Sequence, residues 1–172
     1  MKIGIIGSGR VGYSMGKYMQ DHGIRVTGFY DRHRERALDA AQFTGTDSFD
    51  RIEDLVAASD TLFLTTSDGE IANVWDCIRH LSIQGKIICH FSGSLSSDQF
   101  QGIKKTRAYG LSIHPMLAFS DKYTSYKQLQ NAFFTLEGHA QALAVMEPLL
   151  QKMGNPVQRI APEQKALYHA AA

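Results

Sequence analysis

A glycine-rich turn near the amino terminus has the residue types and the spacing that bind phosphate. Its pattern is G-x-G-x-x-G, formed by Gly7, Ser8, Gly9, Arg10, Val11 and Gly12. In this pattern the first glycine permits a tight turn, the second lets a diphosphate approach the backbone, and the third lets a helix pack closely on a sheet. A helix that begins inside the motif directs its free N–H groups and its positive dipole end toward the phosphates. The turn therefore predicts a dinucleotide site.

A residue suited to the adenosine ribose follows about 20 residues after this turn. Asp31 ends a β-forming run, and its carboxylate could accept hydrogen bonds from the ribose hydroxyls while repelling a 2′-phosphate. Arg32 and Arg34 follow it, and either guanidinium could hold that phosphate if Asp31 turned away. The predicted cofactor is therefore NAD or NADP, and the charge of Asp31 favours NAD.

Small and polar side chains follow two later strands of the predicted sheet. Ligands of an open α/β sheet lie beyond the carboxyl ends of its strands. We therefore expect these segments to line the nicotinamide end of the site, through Thr65, Thr66, Ser67, Ser92 and Gly93. A serine or aspartate at such a position can also serve only as a helix cap, which is the alternative for Ser67, Asp68 and Ser94.

Two side chains are candidates for moving a proton. His114 is predicted to leave a strand end into a loop that Pro115 stiffens, and histidine titrates near neutral pH. Lys165 lies on a predicted helix, where its ammonium could protonate a carbonyl oxygen or hold a carboxylate. The alternatives are a histidine bonded to nearby backbone and an exposed helical lysine. His90 is expected to be buried in or beside its strand.

The elements that would position these residues alternate between β-forming runs and helices, as in βαβ units around a parallel sheet. Strands are predicted at residues 2–6, 24–30, 61–65, 86–91, 109–113, 132–136 and 156–160. Helices are predicted at 10–22, 34–43, 69–80, 140–153 and 163–172, and residues 114–130 are expected to be irregular. The predicted fold class is α/β, with a Rossmann-type, doubly wound, mainly parallel sheet.

Composition excludes several classes of function. A net charge of +1 gives no electrostatic reason to bind nucleic acid or an acidic membrane, and no apolar run approaches the roughly 20 residues that span a bilayer. The two cysteines, Cys77 and Cys89, cannot form a disulfide framework or a metal knuckle. We therefore expect a cytoplasmic protein whose partner is a small-molecule substrate, with no metal site.

The assembled segments resemble the β-hydroxyacid dehydrogenase-like group. The likeness is closer to bacterial two-domain proteins that join a Rossmann-like half to a helical C-terminal domain of unknown function. It covers essentially all 172 residues. The motifs that carry it are Gly7–Gly12, His90-Phe91-Ser92-Gly93-Ser94, Ser112-Ile113-His114-Pro115 and the segment from Lys165 to Ala172. The last three together are more specific than the first.

This resemblance implies a domain organisation and a proton donor. Residues 1–160 would form the Rossmann domain, and residues 161–172 would begin a helical domain that is otherwise absent and that mediates a homodimer. In the wider group a helical lysine donates the proton, and Lys165 matches it, although the usual asparagine would lie beyond the chain. The segment from His114 is also similar to prephenate dehydrogenases, whose histidine bonds the substrate hydroxyl. Asp31 departs from the serine- or arginine-led pattern of NADP-preferring relatives.

Four functions are open at this point. The leading hypothesis is a reductase that passes hydride to a small α-keto acid, with His114 or Lys165 supplying the proton. Some relatives resemble an alternative type of ketopantoate reductase, which suggests ketopantoate. The alternatives are an imine reductase of the pyrroline-5-carboxylate reductase type, a prephenate dehydrogenase-like enzyme, and a module that senses NAD(P) without turnover. Cofactor binding alone would not make this chain a competent catalyst, since half of the expected cleft would lie in the second domain.

Overall fold

Within the described part of the chain, eight strands form a single sheet, and each of its two faces carries helices. The computed structural model describes residues 1–165. The strands are β1 (Lys2–Ile6), β2 (Arg25–Tyr30), β3 (Asp47–Ser48), β4 (Thr61–Leu64), β5 (Ile87–His90), β6 (Tyr109–Pro115), β7 (Phe134–Gly138) and β8 (Val157–Arg159). The helices are α1 (Arg10–Asp21), α2 (Arg34–Thr44), α3 (Ile52–Ala58), α4 (Asp68–Ile78), α5 (Ile103–Thr106) and α6 (Ala140–Lys152). Three 3₁₀ helices span Ser97–Gln99, Ser125–Asn131 and Pro162–Gln164.

The strand order gives the sheet its topological switch point. Along the sheet the order is β3-β2-β1-β4-β5-β6-β7-β8, so the chain reverses its direction of progress between β1 and β4. β7 pairs antiparallel with β6, while the other neighbouring strands pair in parallel. In such sheets ligands bind at the carboxyl ends of the strands beside the switch point. The predicted Rossmann-type fold is confirmed.

The two faces of the sheet differ in character, because successive strand residues point to opposite sides. One face, here called the α1 face, packs apolar residues of the strands against α1, α2 and α6. The other, the α4 face, packs on α3 and α4. Across the α4 face, pairing from β4 to β7 aligns Leu64, His90, Ser112 and Glu137 in one row. This row changes from apolar to polar along the sheet, so the polar end needs partners for its buried groups.

Most predicted elements lie within two residues of their observed bounds. The short elements β3, α3 and α5 were not predicted, because runs of two to seven residues carry little periodicity. The predicted irregular segment 114–130 contains the 3₁₀ helix Ser125–Asn131. The helix predicted at 163–172 lies outside the described residues apart from its first three positions.

The prediction that His114 leaves a strand end was wrong. β6 continues through Pro115, and His114 pairs with Thr135 of β7. The antiparallel partner explains the extension, since β7 supplies a ladder for β6 beyond the point where its parallel neighbour β5 ends. Pro115 is tolerated because it is the last residue of the strand, where a missing N–H disrupts little.

Candidate active site

The turn between β1 and α1 contains two glycines that the fold itself requires. Gly7 has a φ of +101°, a conformation that side chains rarely allow. A Cβ on Gly12 would lie 2.3 Å from the carbonyl oxygen of Gly7, so a larger residue would push α1 away from the turn. Gly9 differs, because a Cβ there would meet only the Thr65 carbonyl oxygen, at 3.8 Å. The fold leaves open space at Gly9, which allows a ligand to approach the backbone closely.

A cavity of ≈ 420 Å³ opens beside this turn. Its walls come from the turn, from the ends of β2 and β4, and from α4. Eight residues predicted to bind the cofactor line it: Gly7, Ser8, Gly9, Asp31, Arg32, Thr65, Thr66 and Ser67. Arg10 instead lines a neighbouring cavity of ≈ 400 Å³, and Val11 and Gly12 lie within α1. Ser92 and Gly93 are on the turn after β5.

Polar groups in the cavity wall fit a nicotinamide dinucleotide. The Asp31 carboxylate accepts hydrogen bonds from the backbone N–H groups of Ser8, at 2.7 Å, and His33, at 2.9 Å. The hydroxyl oxygens of Ser8 and Thr66 are buried and lack a hydrogen-bond partner within residues 1–165. A buried hydroxyl normally has a partner, and a ligand in the cavity would supply one. Together with the open backbone at Gly9, these groups suit the phosphates and ribose of the cofactor.

Lys165 is the most deeply buried charged side chain beside the turn that follows β5, with 1% of its surface exposed. Its Nζ donates a hydrogen bond to the carbonyl oxygen of Ser92, at 2.8 Å, and a second bond to the hydroxyl of Ser112. Burial lowers the pKa of Lys165 to about 8, although Glu137 and Asp68 act in the opposite direction. Near neutral pH this lysine is therefore an ammonium that can give up its proton.

The turn after β5 is held by the side chain of Ser92. Its hydroxyl donates to the Asp68 carboxylate at 2.7 Å and accepts the backbone N–H of Leu95 at 3.0 Å. Ser94 also donates to Asp68, at 3.3 Å. These bonds fix the backbone of the turn, and with it the carbonyl oxygen that Lys165 contacts.

His90 has a structural role inside this turn. Its Nε2 lies 3.0 Å from the Ser96 carbonyl oxygen, and its Nδ1 accepts the backbone N–H of Ser92 at 3.3 Å. Because a carbonyl oxygen only accepts, Nε2 must carry the hydrogen. Burial lowers the pKa of His90 to about 4, outweighing the bond to Ser96. His90 is thus neutral and buried as predicted, and its ring positions the Ser92 turn.

Glu137 closes the polar end of the row on the α4 face. Its two carboxylate oxygens accept from the backbone N–H of Ser97, at 2.7 Å, and from the Ser97 hydroxyl, at 2.6 Å. The residue is buried. We call Lys165, Ser92, Ser112, Asp68 and Glu137 the Lys165 cluster. Its two carboxylates are already hydrogen-bonded to serine groups, so they attract the ammonium only from a distance.

His114 lies two residues beyond Ser112 on β6, so both side chains face the α4 side of the sheet. It is half-buried. The structure therefore brings the two predicted proton carriers, His114 and Lys165, to one face of the sheet. Ile113, which lies between Ser112 and His114 in β6, belongs to the apolar core on the α1 face.

A second lysine lies outside the sheet, among residues of α1, α2 and the segment that follows β6. The Nζ of Lys122 donates to the Asp39 carboxylate at 2.7 Å and lies 4.8 and 4.5 Å from the ring centroids of Tyr13 and Tyr123. Both tyrosine hydroxyls also donate to Asp39. We call these four residues the Lys122 cluster. Lys122 is 41% exposed, and the bonds to Asp39 and Tyr123 raise its pKa.

Sequence reasoning missed three members of the Lys165 cluster. Ser112 was part of a recognised motif and Asp68 begins α4, but neither had been assigned a role at the site. Nothing in the sequence indicated that Glu137 is buried at the site, because a glutamate in a strand is usually exposed to solvent. Only the alignment of strands distant in sequence shows that Glu137 faces Ser112.

Among residues 1–165, no group of three or more His, Cys, Asp or Glu side chains could hold a metal ion. The same residues include no helix with the length and apolar character needed to cross a membrane.

Comparison with protein families divides the chain into two matched segments. Residues 1–83 match the oxidoreductase family with an NAD-binding Rossmann fold. Residues 132–172 match a domain of unknown function. A search of curated proteins found no match. The predicted cofactor, a nicotinamide dinucleotide, is confirmed by the first of these matches.

Solved structures share the fold over nearly the whole chain. A candidate NADP oxidoreductase from Bacteroides fragilis is 20% identical, with a TM-score of 0.86 over 99% of this chain and 64% of its own. An arogenate dehydrogenase from Synechocystis is 18% identical, with a TM-score of 0.79 over 96% and 61%. An imine reductase from Myxococcus stipitatus is 16% identical, with a TM-score of 0.76 over 99% and 57%. The chain thus spans about three fifths of the length of these proteins.

Proposed function

We propose that this chain is the cofactor-binding part of an NAD(P)-dependent oxidoreductase that reduces a small α-keto acid, with Lys165 as the proton donor. The observation that carries the proposal is the buried Lys165 ammonium, held between Ser92 after β5 and Ser112 on β6. The glycine turn and its cavity lie at the carboxyl ends of neighbouring parallel strands. A dinucleotide site and a buried acid near the same end of the sheet are the parts that such a reduction needs.

The chain's own residues would hold the cofactor along the strand ends. The glycine turn and the start of α1 suit the diphosphate, and the part of the cavity beside Asp31 and Arg32 suits the adenosine ribose. Thr65, Thr66, Ser67, Ser92 and Gly93 would line the path toward the nicotinamide. When bound, the cofactor supplies the hydride.

Lys165 has the donors and the acidity for the second half of the reaction. An ammonium has three N–H donors, and two of them are directed to Ser92 and Ser112. In the proposed complex the third would be directed to a substrate oxygen beside these residues. A pKa of about 8 leaves most of the lysine protonated at neutral pH and close to the optimum for a general acid. Lys165 would therefore donate a proton to the oxygen of the carbonyl group as its carbon is reduced.

The charge of Lys165 favours a keto acid over an iminium ion. The ammonium attracts the carboxylate of an α-keto acid, whereas an iminium is itself a cation and would be repelled. We propose ketopantoate as the specific keto acid. Several matched structures are imine reductases, so imine reduction is the alternative that an experiment has to separate.

His114 favours one second candidate, the dehydrogenation of a hydroxy acid of the prephenate or arogenate type. It shares the face of β6 with Ser112, and a neutral imidazole can accept a hydroxyl proton. The fold match to an arogenate dehydrogenase supports this candidate.

We further propose that residues 161–172 begin a helical domain through which the protein forms a homodimer. The match of residues 132–172 to a separate domain family supports an additional unit at this end. Such a domain would complete the cleft. A cytoplasmic location fits the two free cysteines, Cys77 and Cys89, because a reducing compartment keeps thiols unpaired.

The test combines binding with turnover in the full-length protein. Calorimetry with NAD⁺ and NADP⁺ measures cofactor binding, and oxidation of NADH and NADPH is followed with a panel of α-keto acids, including ketopantoate, and cyclic imines. We expect turnover of a keto acid that is lost in Lys165→Met while cofactor affinity is kept. Turnover in this direction should also fall as pH rises through about 8, because Lys165 loses its proton.

Other outcomes point to the alternatives. Turnover of imines that survives in Lys165→Met would contradict the keto-acid proposal. Oxidation of a prephenate- or arogenate-type substrate that depends on His114 would favour the dehydrogenase. Tight cofactor binding without turnover of any of these compounds would indicate a sensing module, and no binding of either cofactor would end the proposal.

A further inference from the structure

Two arginines line the cavity at its expected adenosine end. Arg32 follows Asp31, and Arg36 is in the first turn of α2. Both line the cavity of ≈ 420 Å³ beside the glycine turn. Neither forms an ion pair with another side chain among residues 1–165, whereas the Nε of Arg34 lies 2.5 Å from the Asp50 carboxylate. The guanidinium groups of Arg32 and Arg36 are therefore available to a ligand, whereas that of Arg34 is paired with Asp50.

Asp31 is engaged away from such a ligand. One carboxylate oxygen accepts the N–H of Ser8 in the glycine turn, and the other accepts the N–H of His33. Charge-assisted bonds of this kind are among the stronger hydrogen bonds in proteins. They connect the end of β2 to the glycine turn, so Asp31 acts as a brace for that turn. The ribose hydroxyls would compete with two bonds that the carboxylate already accepts.

Other charged groups near the cavity are few. Glu70 lines it from α4 and accepts a hydrogen bond from Asn73. Arg10 is directed to the carbonyl oxygen of Phe119, at 3.2 Å, and lines the neighbouring cavity. Arg32 and Arg36 are thus the cations of this wall, on the β2 and α2 side, and they are adjacent to the expected ribose position.

We propose that Arg32 and Arg36 bind the 2′-phosphate of NADP, that Asp31 braces the glycine turn, and that the protein consequently prefers NADP to NAD. A guanidinium is suited to this role because its planar fork binds phosphate oxygens in pairs. The inference rests on the proposed function, since it concerns the same cofactor site. It reverses the preference for NAD that the charge of Asp31 alone would give.

The first measurement compares ligands that differ only by the phosphate. Calorimetry on the full chain with NADP⁺ against NAD⁺, and with 2′,5′-ADP against 5′-AMP, reports affinity without any turnover. We expect the ligand with the 2′-phosphate to bind at least about tenfold more tightly in each pair. Equal or tighter binding of NAD⁺ and 5′-AMP would overturn the inference and leave the proposed function intact. No binding of any of the four would end both.

The second measurement assigns the phosphate to particular arginines. Arg32→Ala and Arg36→Ala should each weaken NADP⁺ at least about tenfold and leave NAD⁺ nearly unchanged. Arg34→Ala is the matched control, since this arginine is exposed and paired with Asp50, and it should change neither affinity. Equal losses of NADP⁺ affinity in all three variants would show only a general charge effect and overturn the assignment.

A third variant tests the brace. Asp31→Asn keeps the shape of the side chain and removes its charge, so a loosened glycine turn should weaken NAD⁺ and NADP⁺ alike. If Asp31 instead binds the ribose hydroxyls and repels the phosphate, the variant would lose NAD⁺ and gain NADP⁺. That result would contradict the role given to Asp31.

Discussion

Lys165 and Lys122 have nearby carboxylates, yet their environments shift their pKa values in opposite directions. Lys122 is 41% exposed and bonds directly to Asp39, so its pKa is raised and it remains a cation. Lys165 is 1% exposed, and the carboxylates of Asp68 and Glu137 are already hydrogen-bonded to serines. Burial therefore outweighs attraction and lowers its pKa to about 8. The comparison shows that solvation and direct contact, rather than the number of nearby charges, decide whether a lysine can act as an acid near neutral pH.

The largest expected difference between the two lysines is catalytic. Lys165→Met should lower the proposed turnover of a keto acid by about 10²–10⁴-fold, the usual contribution of a general acid. Lys122→Met, the matched change in the Lys122 cluster, should leave turnover within about twofold. Steady-state rates of NAD(P)H oxidation measure both variants, with cofactor affinity by calorimetry as the control. Equal losses in the two variants would remove the distinction.

The next effect is the pH dependence of stability. The unfolded chain returns Lys165 to a pKa of 10.5, while the folded value is about 8. Between these values the unfolded chain binds more protons, so the contribution of Lys165 to the free energy of unfolding rises with pH, by about 3 kcal/mol over the whole interval. Lys122 has the opposite sign, because a raised pKa gives stability that is present below 10.5 and lost above it.

Urea unfolding at several pH values measures this contrast. The difference in free energy of unfolding between the wild type and Lys165→Met should increase from about pH 8 toward pH 10. Lys122→Met provides the comparison at the same pH values. A pH-independent difference for Lys165→Met would mean that its ammonium is not desolvated in the folded state.

The sequence predicted features that local residue types determine. Gly7 is required by its positive φ, and Gly12 is required because a Cβ there would clash with the Gly7 carbonyl oxygen. The main strands and helices also follow from periodicity. The seven-residue α3 was missed because so short a run carries little pattern.

The Lys165 cluster could not be predicted in the same way. Ser112 and Glu137 meet because β6 and β7 pair in a particular register, and their positions are 25 residues apart. Lys165 was a candidate through its predicted helix and through the family resemblance, but its burial was not foreseeable, since lysine on a helix is normally exposed. Likewise, the partners of Asp31 depend on how β2 lies against the glycine turn.

A smaller effect is expected at the hydroxyl that contacts Lys165. Ser112→Ala removes an acceptor from the ammonium, so the charged form loses stability and the pKa of Lys165 should fall below about 8. The change is measured as the pH at which turnover falls to half on the alkaline side of its pH profile. Ser112→Thr keeps the hydroxyl and should return this midpoint to about 8. An unchanged alkaline midpoint in Ser112→Ala would show that Ser112 does not position Lys165.

The smallest effect belongs to the Lys122 cluster. A double-mutant cycle with Lys122→Met and Asp39→Asn should give a coupling below about 1 kcal/mol, because the pair is exposed and screened by solvent. The coupling should weaken further as salt is added. Thermal or urea unfolding of the four proteins measures it. A coupling of several kcal/mol that resists salt would contradict the contrast with the buried lysine.

The proton affinity of Lys165 is the most direct test of the account. An NMR titration of the lysine side chains in isotopically labelled protein, assigned with Lys165→Met and Lys122→Met, follows each amine separately. We predict that Lys165 titrates near pH 8 while Lys122 remains protonated beyond 10.5. A midpoint for Lys165 at or above 10.5, the value of an ordinary lysine, would contradict its role as a buried acid.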